Sequence, residues 1–504
     1  MVSYVGSWMQ DVGAAWLMTS LDPSPIMVAL VQTADALPVM LLALPAGALA
    51  DIVDRRRLLI ALQAGLLAVS AALALLTFFG LTSAWTLLAF TFAVGVGTAI
   101  LMPAWSAIVP ELIPRNDLAA AIALNSIGVN VSRAIGPAIA GLLVAAIGAW
   151  AVFSLNALSY VAVIAALVAW RRGSTASTLP AERFASALRV GLRYLWHAPA
   201  LQTVLVRGGA FFIFASATWS LFPLVVRQEL GRGPEVYGAL LACIGIGAVI
   251  GALFLPRLRA KISRDQLVAG ATVLYACAML ALAMVRDVAV LSIAMFATGA
   301  AWISVLSPLQ VAAQTALPSW VRARGLAAYV MVFMGGMAGG SALWGHVATV
   351  SGIPVALTVA AVGAVVAIAL TWKFRLGAHE AVDLAPSMHW PAPLVAEAPA
   401  MQRGPVMVTI EYRIEPANRA EFVAAMQGMR RIRRRDGAFF WELFHDTADP
   451  GRVVECFMDE SWLEHLRQHE RVTVADQAVQ ARVMAFHIGG EPPRVSHLLA
   501  DRLR

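Results

Sequence analysis

Three ionisable residues, Asp11, Asp35 and Arg133, lie inside long apolar stretches of the sequence. A charge near the centre of a bilayer costs ~2.5 to 3.5 kcal/mol even on the lenient insertion scale, so each of them marks a functional site by default. At 1.5 Å per residue, Asp11 and Asp35 lie roughly 15 Å from the ends of their stretches, and Arg133 lies roughly 20 Å from the end of its own. We expect the three side chains to be level enough to meet.

The chemistry that this trio suggests is proton coupling. Asp11 or Asp35 would take up and release a proton, and Arg133 would serve as the counter-charge. Burial favours the neutral carboxyl group, whereas a nearby guanidinium favours the charged one, so protonation would compete with the ion pair or with a substrate. The alternative is a static buried ion pair that fixes the first or second apolar stretch against the fifth.

The composition excludes a water-soluble enzyme of ordinary design. Of the 504 residues, 60% are hydrophobic and 13% are charged, and the mean hydropathy is +0.74. The three cysteines are far apart and form no CxxC pair, so neither a disulfide framework nor a zinc knuckle is expected. We expect no cofactor and no metal. Residues 1–376 hold 22 basic and 12 acidic residues, whereas residues 377–504 hold 15 and 18, which indicates two different surroundings.

Apolar stretches of about 20 residues, long enough to span ~30 Å of hydrocarbon, recur along the first part of the chain. Alternate loops between them hold 17 and three basic residues, which predicts that both termini are cytoplasmic in a bacterial-type inner (plasma) membrane. The first span starts at Met1 without a basic leader, and we expect that the first half of this helix is missing. The twelve predicted spans are 3–21, 26–50, 58–79, 85–109, 121–146, 149–170, 201–226, 234–254, 266–285, 288–312, 325–349 and 353–372.

A shift of 204 residues aligns the two halves of this region without a gap. It places Gly47 on Gly251, Pro114 on Pro318 and Gly141 on Gly345. The sequence therefore predicts two parallel six-helix halves, 1–170 and 200–376, with a cavity between them near the bilayer midplane and alternating access. The loop 171–199 contains an amphipathic stretch, 182–196, which either lies on the membrane surface or is a solvated linker.

A small separate domain is predicted after a Pro-rich linker, 377–404. Within residues 405–504 the pattern is β-α-β-β-α-β, the order of a ferredoxin-like α+β domain. It resembles the dimeric barrels of the antibiotic-biosynthesis monooxygenases, which implies possible dimerisation. His465 and His469 share a helix face, and a solvated pair is favoured over metal ligands. The arginine run 430–435 favours contact with membrane lipid headgroups, and no nucleic-acid partner is expected.

The segment that joins the second and third spans resembles the signature loop of the major facilitator superfamily. It contains the gate candidates Gly47, Asp51, Asp54, Arg55 and Arg56. A carboxylate such as Asp51 at a helix end can bind arginines or face a helix N-terminus, which would latch the two halves on one side. An ordinary positive loop is the plainer interpretation. The resemblance implies an all-α polytopic fold in which helices 1, 4, 7 and 10 line the cavity.

Substrate contacts follow from that implied lining. We expect them to come from large amphipathic and polar side chains, Trp8, Gln10, Trp105, Trp302, Gln310 and Gln314.

The fifth span resembles the helix motif of proton antiporters of this superfamily, with Ser132 where glycine is common. The first, fourth and fifth spans are also similar to the enterobactin-exporter, or transmembrane secretion effector, branch. Asn125, Asn130, Gly136 and Pro137 carry part of this likeness, and Gly136, Pro137 and Gly141 carry the antiporter motif.

The predicted function is secondary active, proton-coupled efflux of a small amphipathic molecule, such as a siderophore or a drug. No GxxxxGK[ST] motif occurs, which argues against an ATP motor, and we expect no enzyme. Two alternatives remain open. One is an importer or uniporter on the same scaffold, and the other is a sensor or enzyme that acts through the C-terminal domain while the helices anchor it.

Overall fold

The computed structural model of the chain contains two compact units. The first draws on residues 1–181, 203–311 and 327–377, and the second on residues 182–202, 312–326 and 378–504. The predicted amphipathic stretch 182–196 lies, apart from Trp196, outside the described residues. The structure describes residues 2–112, 117–169, 196, 198–318, 320–376, 383–385, 387, 389–390, 395 and 399–501.

Each of the twelve predicted spans corresponds to one α-helix of the described chain. Eleven of the helices are long and apolar enough to cross a membrane. The first helix is not among these eleven, because Ser3, Ser7, Gln10 and Asp11 lower its apolar character. The helices are α1 (Val2–Leu21), α2 (Pro25–Ile52), α3 (Arg55–Phe78), α4 (Ala84–Leu112), α5 (Leu118–Ile147), α6 (Ala149–Ala169), α7 (Pro199–Leu224), α8 (Pro234–Arg259), α9 (Arg264–Met284), α10 (Val288–Thr315), α11 (Arg322–Ser351) and α12 (Ile353–Leu370).

Glycines set the closest approaches between these helices. A Cβ atom at Gly141 of α5 would lie 2.5 Å from the Pro234 carbonyl oxygen and 2.9 Å from Cα of Gly238, so α5 meets α8 backbone to backbone. Small residues permit this kind of contact in membranes, where dispersion rather than the hydrophobic effect holds helices together. The two six-helix halves therefore touch along α5 and α8.

Polar contacts join the two halves at the end of the bundle opposite the Arg55–Arg57 loop. Arg227, in the π-helical turn Val225–Glu229 that follows α7, donates to the Thr19 hydroxyl of α1 at 2.9 Å. The backbone N–H of Ile26 in α2 donates to the Thr349 hydroxyl of α11 at 3.2 Å. These bonds hold α1 and α2 of the first half to α7 and α11 of the second at this end.

The second unit contains a four-stranded antiparallel sheet in the order β2-β3-β1-β4. Buried side chains of β1, such as Val408 and Tyr412, face Phe422 and Trp462 of the helices. The predicted order of elements is present, except that the second helix is split in two by a capping box at Thr473. The elements are β1 (Val406–Arg413), α13 (Arg419–Asp436), β2 (Phe440–His445), β3 (Arg452–Asp459), α14 (Trp462–Arg471), α15 (Val474–Met484) and β4 (Arg494–Leu499).

Part of the predicted linker 377–404 lies against this domain instead of being extended and free. The Trp390 indole N–H donates to the Gln480 side chain at 2.7 Å, and the Leu463 N–H donates to the Met401 carbonyl. A chain segment that is rich in proline can still bind a surface through its aromatic and backbone groups, and composition alone does not show this.

Candidate functional site

A cavity of about 320 Å³ lies between the two halves of the first unit. Eight helices contribute to its lining: α1, α2, α4 and α5 from the first half, and α7, α8, α10 and α11 from the second. The polar and charged lining residues of the first half include Asp11, Gln32, Asp35, Thr91 and Arg133. Within the described part of the chain, the second half presents no charged side chain to this lining, and half of its lining residues are aromatic or thioether side chains, namely Trp219, Tyr237, Trp302, Phe333, Met334 and Met337.

The two carboxylates of the trio lie on neighbouring helices. Asp11 of α1 is exposed and lines the cavity, and Asp35 of α2 is half-buried in the same wall. The two groups are close enough for their charges to interact. Helix α4 comes very near α2 at this level, because a Cβ atom at Gly95 would lie 2.6 Å from the Asp35 carbonyl oxygen. The close helix contact thus fixes the backbone that carries Asp35.

Arg133 lines the same cavity but binds an aromatic ring. Its guanidinium lies 5.6 Å from the ring centre of Trp8, which is a cation–π distance. Trp8 is held beside α5 because a Cβ atom at Gly136, one turn after Arg133, would lie 2.8 Å from Cβ of Trp8. Among the described residues, Nε of Arg133 has no hydrogen-bond partner. The described contacts also include no ion pair between Arg133 and Asp11 or Asp35.

An aromatic row extends from Trp8 across the cavity. The Trp219 ring lies 6.5 Å from the Trp8 ring and 5.5 Å from that of Trp302, and Trp302 lies 6.1 Å from Phe333. The sequence analysis named Trp8 and Trp302 and missed Trp219, Tyr237 and Phe333. One signal in the sequence could have pointed to Trp219. Membrane tryptophans are enriched at the interfaces, whereas Trp219 lies inside a span.

Four of the expected substrate contacts lie elsewhere. The Gln10 side-chain oxygen accepts hydrogen bonds from Ser70 at 2.8 Å and from Asn156, which bind α1 to α3 and α6. Successive helix residues differ by ~100°, so Gln10 faces away from the cavity that its neighbour Asp11 lines. Trp105 packs against the cluster of Leu59 and Ala104. Gln310 and Gln314 are exposed and do not line the cavity.

The loop that resembles the superfamily signature has local structural contacts. Asp54 caps α3, since its side chain accepts from the Arg57 N–H at 2.9 Å. Arg56 donates to the last carbonyls of α6, Leu167 at 2.8 Å and Val168 at 2.7 Å. Arg55 begins α3. A Cβ atom at Gly47 would meet nothing within 4 Å. The side chain of Asp51 lies outside the described residues, so the latch to the second half stays a prediction.

The motif residues of the fifth span act in helix packing. Gly136 lies against Trp8, while Pro137, whose carbonyl faces Gly238, and Gly141 lie against α8. Asn125 is exposed and Asn130 is half-buried.

Arg207 of α7 is a buried charge in the second half. It is 4% exposed and forms an ion pair with Asp265 at 2.6 Å. The same carboxylate accepts from the Leu376 N–H at 3.0 Å. Arg207 therefore ties α7 to the start of α9 and to the end of the α12 segment.

The sequence profile that describes transmembrane secretion effectors, within the major facilitator superfamily, matches residues 1–504. The chain belongs to this family. The family is one of multi-pass membrane transporters, not of enzymes. The narrower enterobactin-exporter branch and the monooxygenase-like barrel remain predictions.

Relatives of this family member include two transporters with named cargo. The chain is 25% identical to the staphyloferrin A transporter of Staphylococcus aureus over 50% of its own length and 64% of that protein. It is 22% identical to macrolide efflux protein A of Streptococcus pyogenes over 50% of its length and 63% of that protein. The matches thus span somewhat less than two thirds of these two relatives. The multidrug efflux pump Tap of Mycolicibacterium fortuitum is 25% identical, over 63% of the chain and 80% of the pump.

Solved structures share the fold. A bacterial homologue of the lysosomal transporter Spinster, in an inward-facing conformation, matches with a TM-score of 0.58 at 15% identity, over 74% of the chain and 94% of that protein. A nucleoside transporter matches with a TM-score of 0.61 at 11% identity, over 74% of the chain and 98% of that protein. The expected major facilitator fold is confirmed.

Proposed function

We propose that this transporter exports a small amphipathic molecule in exchange for protons, by alternating access of the central cavity. One observation carries the proposal. The same cavity presents two carboxylates and a guanidinium from the first half and a row of aromatic rings from the second. A cavity of about 320 Å³ is within the range of small-molecule sites, which are apolar with a few convergent polar groups.

The proton would bind at the carboxylates Asp11 and Asp35. Two like charges that face one cavity repel each other, so a proton held on one of them relieves the repulsion. Arg133 lies on Trp8 rather than in an ion pair with either acid, and its charge can stabilise whichever carboxylate is ionised. Proton binding and cargo binding in one cavity would then bias the two conformations differently, which is what coupling requires.

The cargo would contact the aromatic wall of the second half. Flat rings such as Trp219 and Trp302 bind apolar surface without demanding a particular hydrogen-bond pattern. This suits amphipathic molecules of varied shape, and the relatives whose names give a cargo are a siderophore transporter and macrolide and multidrug exporters. We propose a siderophore or a drug-like molecule as the cargo class.

We propose that both termini are cytoplasmic. The loops on one side of the membrane hold 17 basic residues, whereas the loops on the other side hold three. The bonds of Arg227 and Ile26 then lie on the outer side of the membrane. A cysteine introduced at exposed Ser83, in the loop between α3 and α4, would be labelled from outside by an impermeant thiol reagent. Labelling only after the cells are opened would contradict this orientation.

Reconstituted vesicles with an imposed pH gradient test the coupling, with a radiolabelled macrolide and a siderophore as probes. We expect uphill accumulation by the wild type and its loss in Asp11→Asn, Asp35→Asn and Arg133→Ala. The matched control is Asp287→Asn, which makes the same chemical change at an exposed loop cap. If all three cavity variants keep the wild-type pH dependence, the proton site is not in this cavity.

The direction of transport is tested in the same vesicles by placing the probe on either side. An exporter accumulates cargo only against entering protons. Cargo that equilibrates without a response to the gradient would indicate a uniporter, and accumulation together with protons would indicate an importer.

A further inference from the structure

The interior of the C-terminal domain brings three histidines together from two elements. His465 and His469 lie on α14, and His497 lies on β4. One ring nitrogen of each lies within 4.8 Å of those of the other two. The ring centre of His465 is 4.9 Å from that of His469 and 4.8 Å from that of His497. The sequence had favoured a solvated helix face here, whereas His465 is 2% exposed.

The buried histidine is oriented by a carboxylate. Nδ1 of His465 lies 3.0 Å from Asp459, and both residues are almost fully buried. If Nδ1 donates to Asp459, then Nε2 carries the lone pair, and a carboxylate–histidine pair of this kind orients the imidazole of many metal sites. Nε2 of His465 is buried and has no hydrogen-bond partner among the described residues. A buried, unsatisfied acceptor needs an explanation, and a metal ion supplies one.

The other two rings are electrically suited to the same ion. His469 and His497 are half-buried, and a neutral imidazole offers the lone pair of one ring nitrogen to a metal ion. Arg433, a positive group whose charge acts on His469, is paired with Glu455 at 3.0 Å. Asp459 adds a negative charge behind His465.

We propose that His465, His469 and His497 bind one divalent transition-metal ion, with a fourth position open to water or a small ligand. Three imidazoles suit Zn²⁺, Ni²⁺ or Cu²⁺ rather than Mg²⁺ or Ca²⁺, which prefer oxygen ligands. Zinc–nitrogen bonds of ~2.0 to 2.1 Å require the ring nitrogens to come closer together. His469 and His497 are only half-buried, and rotation of their side chains provides this movement.

The test uses the full chain, purified in detergent through an affinity tag that contains no histidine. Zinc binding is measured by titration calorimetry, and retained metal is measured by elemental analysis after dialysis. We expect one zinc per chain. The variants His465→Gln and His469→Gln should bind at least about 100-fold more weakly, and Asp459→Asn about 10- to 100-fold more weakly. His445→Gln, at an exposed histidine in β2 of the same domain, is the matched control.

A spectroscopic measurement separates loss of a ligand from loss of the fold. Cobalt in place of zinc should give visible absorption bands in the wild type and in His445→Gln. These bands should be absent in His469→Gln, whose circular dichroism should match that of the wild type because the residue is half-buried. Wild-type protein that binds no zinc or cobalt, or a His469→Gln variant that binds them equally well, would overturn the proposal.

Discussion

The two halves of the membrane unit treat buried charge in opposite ways. In the first half, Asp11, Asp35 and Arg133 line a cavity, and the guanidinium stacks on a tryptophan. In the second half, Arg207 and Asp265 form a closed ion pair at 2.6 Å. Charges without a fixed counter-ion can respond to a proton or a ligand, whereas a closed pair holds helices in place.

The shift of 204 residues shows that this difference arose at equivalent positions. Asp11, Asp35 and Arg133 correspond to the uncharged Ala215, Ala239 and Met337, and the pair Arg207 and Asp265 corresponds to Ser3 and Ala61. The positions that correspond under this predicted shift therefore carry charge in one half and none in the other. We infer that coupling belongs to the first half and that cargo contact belongs chiefly to the second.

The largest effect on stability is expected for Arg207→Ala. Removal of one partner of a buried pair leaves an uncompensated charge and costs about 3 to 5 kcal/mol. Asp265 keeps its bond from the Leu376 N–H, so we expect about 3 kcal/mol, measured by unfolding in detergent. The control Arg286→Ala breaks an exposed pair with Glu229 and should cost less than about 1 kcal/mol. Equal losses in the two variants would remove the structural role assigned to Arg207.

An intermediate effect of opposite sign is expected for Arg133→Met, which installs the residue found at the equivalent position 337. The variant should lose pH-dependent efflux but gain up to about 2.5 kcal/mol of stability, because an unpaired charge inside the membrane is removed. Efflux against a pH gradient and unfolding in detergent are measured on the same preparation. Met337→Leu is the control. If Arg133→Met is destabilised instead, the charge of Arg133 has a structural role. The proposed difference between the charges of the two halves would then be wrong.

The smallest effect is expected for Trp219→Leu in the aromatic wall. An aromatic contact contributes about 0.5 to 1.5 kcal/mol beyond area burial, so cargo affinity should fall by about 2- to 10-fold. The pH dependence should not change. Trp85→Leu is the control, since Trp85 is 71% exposed and lies outside the cavity lining. Transport measured over a series of cargo concentrations at several pH values separates the effect on affinity from the effect on pH dependence. A shifted pH profile in Trp219→Leu would contradict the assignment of coupling to the first half alone.

Sequence patterns located the helices well because lipid solvent imposes length and apolarity on each span. They also predicted that Asp11, Asp35 and Arg133 lie at one level, because the rise per residue of a helix converts a position in the sequence into a depth in the membrane. They could not assign the face of each side chain. Gln10 is adjacent to Asp11 yet binds Ser70 and Asn156, since its direction depends on how α1 is rotated among its neighbours.

Contacts between distant segments were likewise beyond the sequence. Asp265 lies 58 residues from Arg207, and no local pattern links them. His497 joins His465 and His469 only because β4 returns beside β1 at the sheet edge. A single sequence shows which residues could do chemistry, but the topology decides which of them meet.

The contact of α5 with α8 has a mechanical consequence. Gly141 and Gly238 face each other with bare backbones, so no side chain lies between the two helices at this point. The rocking that the proposed alternating access requires can pivot at this contact.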